Sequence, residues 1–225
     1  MKTPVLQATG LKKSYRTAAG RLVVLEGLDF SVSAGEMVAV VGASGVGKTT
    51  LLNLLGLLDR PEVGTISLDG EEIGNLEPRN QAQLRNRKFG FVFQFHHLLA
   101  DFTAGENVTF PLFMRGAPQS ETMQKAKEFL ARLGLENKLN EPVYNLSGGE
   151  AQRVAVARAL AGSPRVVLAD EPTGNLDTHT AEELHNLFSG LKREGKTFVI
   201  ATHNPALAQR ADRVLELKEG KLVPR

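Results

Sequence analysis

Apolar residues along the chain form two kinds of pattern, short strand-like runs and helix-like spacings, and segments of the two kinds alternate. Four short runs have the length and branching of buried parallel strands, at residues 37–41, 89–93, 166–169 and 197–202. Leucine-rich residues 50–58 follow the first run as a predicted helix. Before the last run, apolar residues recur at helical spacing at Leu184, Leu187, Phe188 and Leu191. The alternation predicts an α/β fold with a parallel sheet at its core.

A smaller β layer is expected beside this sheet. Residues 5–8, 22–26 and 65–68 form short strand-like segments, and Gly20 and Gly70 mark turns. We interpret them as an antiparallel layer.

The middle of the chain lacks strand signals between residue 95 and about residue 162. Helical spacing returns there at Met123, Ala126, Leu130 and Leu133. Ser120 is the predicted cap of that helix and Gly134 its stop. We therefore expect one domain, residues 1–225, with a helical subdomain at about 95–162 inserted into the α/β core.

The segment GASGVGKT, residues 42–49, fits the phosphate-binding pattern G-x-x-x-x-G-K-[ST] between a predicted strand and a predicted helix. Glycines let backbone N–H groups point at an anion, and the helix N-terminus adds partial positive charge. Lys48 would neutralise the β- and γ-phosphates, and the Thr49 hydroxyl would ligate Mg²⁺. The alternative, a glycine-rich turn with a surface lysine, is disfavoured by the flanking strand and helix. The predicted phosphate-binding residues are Gly42, Ala43, Ser44, Gly45, Val46, Gly47, Lys48, Thr49 and Thr50.

Two acids follow the apolar run at residues 166–169. Carboxylates at the C-terminal end of a parallel strand lie where open α/β sheets bind ligands. Asp170 would hold the Mg²⁺ shell, and Glu171 would orient and deprotonate an attacking water. The alternative is a pair of solvated acids at a strand end.

A second glycine-rich element, LSGGE, occupies residues 146–150 and precedes a predicted helix. Ser147, Gly148 and Gly149 open that helix, so its N-terminus should attract an anion as the first one does. With Glu150 they form a second predicted ligand-binding set. One nucleotide can seldom touch both sites within a single chain.

These motifs together resemble those of ATP-binding-cassette (ABC) ATPases. The phosphate loop, LSGGE, the strand VVLADE, the stretch GNLD at 174–177 and His203 occur in that family's order, over nearly the whole chain. The resemblance implies a P-loop NTPase with a RecA-like parallel core that hydrolyses ATP with Mg²⁺. It also implies a head-to-tail homodimer, in which the Ser147 element of one copy covers the γ-phosphate held by Lys48 of the other.

The resemblance assigns roles to further residues. Tyr15 would stack on adenine, Gln94 would sense Mg²⁺ and a membrane partner, Asp177 would communicate across the dimer, and His203 would contact the γ-phosphate. The catalytic set is then Glu171, His203, Lys48 and Gln94, and the metal set is Thr49, Gln94 and Asp170. Each assignment has a plain alternative: Tyr15 as a packing residue, Gln94 as a surface amide, Asp177 as a helix cap and His203 as a satisfied polar group.

The loop after Gln94 indicates which subgroup of these ATPases the chain resembles most. Residues 95–112 closely resemble the corresponding loop of lipoprotein-release ATPases, and less closely those of macrolide exporters and of the cell-division ATPase FtsE. Phe95, Leu98, Leu99 and Phe102 would receive integral membrane subunits of the LolC/LolE type, or else pack under the helical subdomain. A metal site at the adjacent His96 and His97 is disfavoured, since neighbouring side chains rarely converge. The expected activity is ATP hydrolysis coupled to lipoprotein release, with a drug or peptide exporter and an FtsE-like regulator as alternatives.

Composition limits these hypotheses further. The 42% hydrophobic content is ordinary for a water-soluble domain, and no apolar run approaches the ~20 residues of a transmembrane helix. The first ten residues lack the apolar centre of a secretion signal. The absence of cysteine excludes disulfides, and a net charge of +2 gives no indication of nucleic-acid binding. With the resemblance, this places the expected protein at the cytoplasmic face of the bacterial inner membrane, held there by its membrane subunits.

Overall fold

The core of the molecule is a six-stranded sheet in the order β10-β9-β3-β8-β7-β6, seen in a computed structural model that describes residues 4–18 and 20–225. Its strands are β3 (Met37–Val41), β6 (Phe89–Phe93), β7 (Val166–Asp170), β8 (Phe198–Ala201), β9 (Arg213–Lys218) and β10 (Lys221–Pro224). The first five run parallel, and β10 pairs antiparallel with β9. The parallel α/β core predicted from the alternating pattern is confirmed.

The antiparallel layer is a second, four-stranded sheet in the order β2-β1-β4-β5. Its strands are β1 (Pro4–Thr17), β2 (Gly20–Ser33), β4 (Val63–Leu68) and β5 (Glu71–Glu72). The predicted layer is confirmed, but β1 and β2 are far longer than the apolar segments at 5–8 and 22–26. The extra length forms a solvent-facing hairpin whose paired strands carry polar residues, such as the Lys12–Glu26 ion pair. An apolar pattern could not mark such a hairpin.

Helices cover both faces of the six-stranded sheet. They are α1 (Lys48–Leu55), α2 (Pro78–Lys88), α3 (Ala104–Phe113), α4 (Gln119–Arg132), α5 (Gly148–Ala161), α6 (Thr178–Arg193) and α7 (Pro205–Ala208). On one face, α1 is buried between the two sheets, and its leucines share one hydrophobic cluster with Val40 and Leu168. On the other face, α5 and α6 pack on the alternate strand positions, with the rings of Phe188 and Phe198 5.4 Å apart. Both helices are thereby held against the sheet, α1 on one face and α5 on the other.

The region between β6 and β7 is helical, as expected: a short turn joins α3 to α4, and a segment with two single-turn 3-10 helices, Glu136–Lys138 and Val143–Asn145, joins α4 to α5. Its predicted start for α4 is wrong: the helix begins at Gln119 after Pro118, and Ser120 lies inside its first turn. The fixed φ of proline suits it to a helix start, which the serine-based prediction overlooked. Gly134, at φ 71°, does end α4. Over the residues that the structure describes, no helix is both long and apolar enough to cross a membrane.

Candidate active site

The loop between β3 and α1 requires glycine at two positions, Gly42 and Gly47. Gly42 has φ 149°, and a Cβ added there would lie 2.7 Å from the Leu217 carbonyl oxygen. Gly47 has φ 112°, and its added Cβ would lie 2.4 Å from Val24 Cγ1. Any larger residue would push the loop away from both sheets, so the loop conformation depends on these glycines.

The N-terminus of α1 presents unpaired donors to this loop. Gly47 caps the helix without a side-chain hydrogen bond, and the first turn contains no acidic residue. Lys48 is almost fully buried, and its Nζ donates to the Gly42 and Ala43 carbonyl oxygens at 2.9 and 3.1 Å. The cation and the helix end therefore add their positive potential at one point, as an anion site requires.

Asp170 lies beside this site at the carboxyl end of β7. Thr49 Oγ1 donates to Asp170 Oδ2 at 2.7 Å, although the two residues are 121 positions apart. Burial raises the pKa of the Asp170 carboxyl, helped by the charge of Glu171 and opposed by the Thr49 hydrogen bond and by Lys48. An alcohol oxygen and a carboxylate oxygen are hard donors of the kind that Mg²⁺ prefers, so this pair fits a magnesium site.

Glu171 lies between Lys48 and His203. Its Oε1 lies 3.7 Å from Lys48 Nζ, and its Oε2 lies 2.9 Å from His203 Nδ1 and accepts the His203 backbone N–H at 3.1 Å. The residue has φ 44°, a left-handed conformation that is costly for a side chain of this size. Its backbone N–H is held by the Ala201 carbonyl at 2.9 Å, which aligns the turn after β7 with β8.

Gln94 follows β6 and contacts a residue that the sequence did not single out. Gln94 Nε2 donates to Asn175 Oδ1 at 3.0 Å, and Asn175 Nδ2 donates back to the Gln94 carbonyl at 3.2 Å. This reciprocal pair ties the end of β6 to the stretch that precedes Asp177. Asn175 lies within the GNLD stretch, which was the signal available for finding it.

Asp177 caps α6, as its structural alternative proposed. Its carboxylate accepts the backbone N–H groups of His179 and Thr180 at 3.0 and 3.1 Å and the Thr180 hydroxyl at 2.6 Å. These bonds, led by those from Thr180, lower the pKa of Asp177. The capping role leaves the predicted cross-dimer role open.

The second glycine-rich element opens α5 with a capping box. Ser147 Oγ accepts the Glu150 backbone N–H at 3.2 Å, and Glu150 Oε2 accepts the Ser147 N–H at 2.8 Å. The Ser147 backbone bond, together with Lys138 at 3.0 Å, lowers the pKa of Glu150. Within residues 4–18 and 20–225, no hydrogen bond or ion pair joins residues 147–150 to the loop at 42–50. The two predicted anion sites are thus separate in one chain.

Tyr15 lies on β1, opposite Leu22 of β2. Its hydroxyl donates to Asp59 Oδ2 at 3.0 Å, and Lys13 Nζ lies 5.2 Å from its ring centroid. The hydrogen bond to Asp59 fixes the hydroxyl end of the side chain. Part of the ring remains exposed and accessible to a ligand.

The loop after Gln94 exposes several apolar side chains. Phe95 is 67% exposed, and Leu99 and Phe102 are also exposed, whereas Leu98 packs against the core. The neighbouring groove between α2, β6 and α3 is lined by Phe91, Phe93, Phe110 and Met114. The His97 ring packs edge-on against Phe93, and among the described residues no cluster of three or more His, Cys, Asp or Glu side chains could hold a metal.

The chain is similar to known proteins in sequence and in structure. Residues 25–174 match the family described as ABC transporter. The chain is 49% identical over 224 residues to the lipoprotein-releasing system ATP-binding protein LolD of Hyphomonas neptunium, covering 99% of this chain and 98% of that protein. It is 50% identical over 222 residues to LolD of Bordetella pertussis, covering 98% and 96%. The dimeric structure of the ATP-binding cassette MJ0796 bound to ADP and Pi is similar, with a TM-score of 0.89, 37% identity and 96% of both chains covered.

Proposed function

The chain belongs to the ABC transporter family, and we propose on that premise that it is the ATP-hydrolysing subunit of a transporter that releases lipoproteins from the bacterial inner membrane. One observation supports the proposed ATP hydrolysis most directly. The Glu171 carboxylate lies between Lys48 Nζ, at 3.7 Å, and His203 Nδ1, at 2.9 Å, at the mouth of a glycine-shaped anion site. A base, a phosphate-binding cation and a second polar group therefore meet where a γ-phosphate would sit.

In the proposed mechanism, Lys48 and the open N-terminus of α1 bind the β- and γ-phosphates. Glu171 accepts the proton of the attacking water, and His203, anchored by Glu171, contacts the γ-phosphate. Thr49, Asp170 and Gln94 would hold Mg²⁺, which when bound offsets phosphate charge and orients the β- and γ-oxygens. Tyr15 would contact the adenine with the accessible part of its ring.

Two copies would complete each site. The residues at 147–150 open α5 away from the chain's own phosphate loop, so a second copy is the source of that element in a head-to-tail dimer. Asp177 would then face the partner copy across the interface. The dimeric MJ0796 cassettes support a dimer of this fold. In this arrangement Ser147, Gly148, Gly149 and Glu150 close over the nucleotide.

The partner surface would be the exposed loop after Gln94. Phe95, Leu99 and Phe102 present apolar side chains, and the adjacent groove offers Phe110 and Met114. Exposed apolar patches of this kind mark protein contacts. We assign the surface to LolC/LolE-like membrane subunits, which would hold the chain at the cytoplasmic face of the inner membrane. Resemblance to LolD favours lipoprotein cargo over a drug exporter or an FtsE-like regulator.

The base assignment can be tested with Glu171→Gln, which keeps size and polarity but removes the proton acceptor. We expect ATP hydrolysis to fall by roughly 10²–10⁴-fold, with ATP trapping a dimer visible by light scattering. Glu194→Gln is the matched control, because Glu194 forms a surface ion pair with Arg132 far from the site. Normal hydrolysis by the Glu171 variant would show that Glu171 is not the base.

A further inference from the structure

Arg158, on α5, is a largely buried cation whose hydrogen bonds go to backbone oxygens. Its Nη1 donates to the His97 carbonyl and its Nη2 to the His96 carbonyl, both at 2.7 Å. In the described part of the chain, Arg158 forms no ion pair. A guanidinium with two parallel donors can hold two successive carbonyls in a fixed relation, which an ammonium cannot do.

The segment held in this way has an unusual backbone conformation. His97 has φ 46°, a left-handed value that a residue with a side chain adopts only when neighbouring contacts favour it. The contacts here are the Arg158 hydrogen bonds and the edge-on packing of the His97 ring on Phe93, with the centroids 5.3 Å apart. Two residues before this turn, Phe95 is 67% exposed.

A second side chain of α5 holds the preceding residues. Gln152 is only 2% exposed, and its Nε2 donates to the Phe93 carbonyl at 2.9 Å. The helix that carries Gln152 and Arg158 begins at the capping box of Ser147 and Glu150. One helix therefore carries the glycine-rich element at its capped end and two attachments to the apolar loop.

We propose that Arg158 is a positioning residue that fixes the loop at residues 95–99 to α5, so that the loop and the Ser147 end of the helix move together. The inference rests on the proposed function, in which the loop receives the membrane subunits and Ser147 covers the nucleotide of a second copy. Docking at the loop would then bias dimer closure, and closure would reposition the loop, because coupling between two sites is reciprocal. Arg158 touches neither ligand.

Amide hydrogen exchange on the full-length protein tests the positioning. Without nucleotide, Arg158→Lys should accelerate exchange at residues 95–99 on the order of tenfold, as expected for losing a charge-assisted hydrogen bond. Arg115→Lys is the matched control, since Arg115 donates to the Gly162 carbonyl at the other end of α5 and does not contact the loop. Exchange at 95–99 equal to wild type in Arg158→Lys would overturn the proposal.

A second arm tests the coupling in the Glu171→Gln background. There, ATP should change exchange at both 147–150 and 95–99; adding Arg158→Lys should preserve the first change and abolish the second. An ATP-induced change at 95–99 that survives Arg158→Lys would overturn the coupling. Should ATP fail to dimerise the parent, the proposed function fails, while the nucleotide-free arm still decides the positioning role.

A second variant guards against a folding defect in Arg158→Lys. Gln152→Leu has similar volume and removes only the bond to the Phe93 carbonyl, so exchange should rise at residues 93–95 with Arg158 intact. Unchanged exchange there would count against α5 as the anchor of this loop.

Discussion

The two helix N-termini of this molecule differ in what they leave available. At α1, Gly47 provides no side-chain cap, no acid lies in the first turn, and Lys48 adds a cation. At α5, Ser147 and Glu150 satisfy each other's backbone groups, and Glu150 adds a carboxylate. The first end is open to an anion, whereas the second is partly occupied by its own chain.

The difference indicates that two glycine-rich motifs of similar sequence have different roles. An open helix end beside a lysine can bind phosphate within one chain. A capped end beside a carboxylate has a weaker pull on anions, because the carboxylate and the macrodipole have opposite effects. The α5 end is therefore suited to closing over a nucleotide that is already bound elsewhere.

The largest expected effect comes from removing the cation at the open end. Lys48→Ala should weaken ATP binding by roughly 30-fold to several-thousand-fold, since losing one member of a desolvated charge pair costs about 2–5 kcal/mol. Titration calorimetry would measure it. Lys125→Ala, which breaks a surface pair with Glu121, should leave the affinity unchanged. Equal loss in both variants would contradict the contrast between the helix ends.

A packing change should affect only the α5 end. A Cβ added at Gly149 would lie 2.3 Å from Thr180 Cγ2, a stiff side chain whose hydroxyl is fixed to Asp177. Gly149→Ala should therefore weaken ATP-driven dimerisation of the Glu171→Gln protein by roughly 5- to 150-fold, from an overpacking cost of about 1–3 kcal/mol. ATP affinity of the single chain should not change.

The double variant Gly149→Ala with Thr180→Ser supplies the control. Serine keeps the hydroxyl bonded to Asp177 and removes the methyl group, so dimerisation should recover. Failure to recover would mean that Gly149 matters for a reason other than this contact.

Lowering the pH should affect the α1 site and the α5 capping box differently, with a smaller effect than the substitutions above. Burial raises the pKa of Asp170 above 3.8, whereas the Ser147 bond lowers the pKa of Glu150 below 4.5. As pH falls, Asp170 takes up its proton at a higher pH than an ordinary aspartate would, and Mg²⁺-dependent ATP affinity declines, by at most about tenfold per pH unit for one linked proton. The stability that Glu150 contributes is lost only when pH falls through its lowered value.

Binding titrations at decreasing pH would measure the decline, with Asp170→Asn as the pH-insensitive reference. Hydrogen exchange at Ser147 and Glu150 should stay protected down to a pH below 4.5, the ordinary pKa of a glutamate. Loss of that protection above pH 4.5 would contradict the lowered pKa of Glu150.

The parts of this structure that local rules govern could be predicted from the sequence. Strands 37–41 and 89–93 were predicted at their observed bounds, and the capping role of Asp177 was among the alternatives. These features depend on side-chain pattern and on hydrogen bonds to nearby backbone. The division into one domain with an inserted helical subdomain stays a prediction.

Features that depend on distant contacts were missed. The extended β1–β2 hairpin is held by cross-strand pairing of polar residues. The start of α4 was missed for a local reason, because the cap is Pro118 and not a serine. Asn175 and Arg158 became visible as functional candidates only when their partners, 81 and about 60 residues away, were seen beside them. Asn175 lies in the GNLD stretch, which pointed to the segment but not to the contact with Gln94. Arg158 has no residue type or local spacing that indicates its role.

The pairing of Gln94 with Asn175 determines which atom of the glutamine remains free. An amide offers a donor and an acceptor at opposite corners, and Nε2 is already committed to Asn175 Oδ1. The oxygen is thereby the atom left to meet a cation, and rotating the amide by half a turn would break the pair. Asn175 thus sets the orientation of the Gln94 amide and, with it, which atom of that amide would face the proposed Mg²⁺.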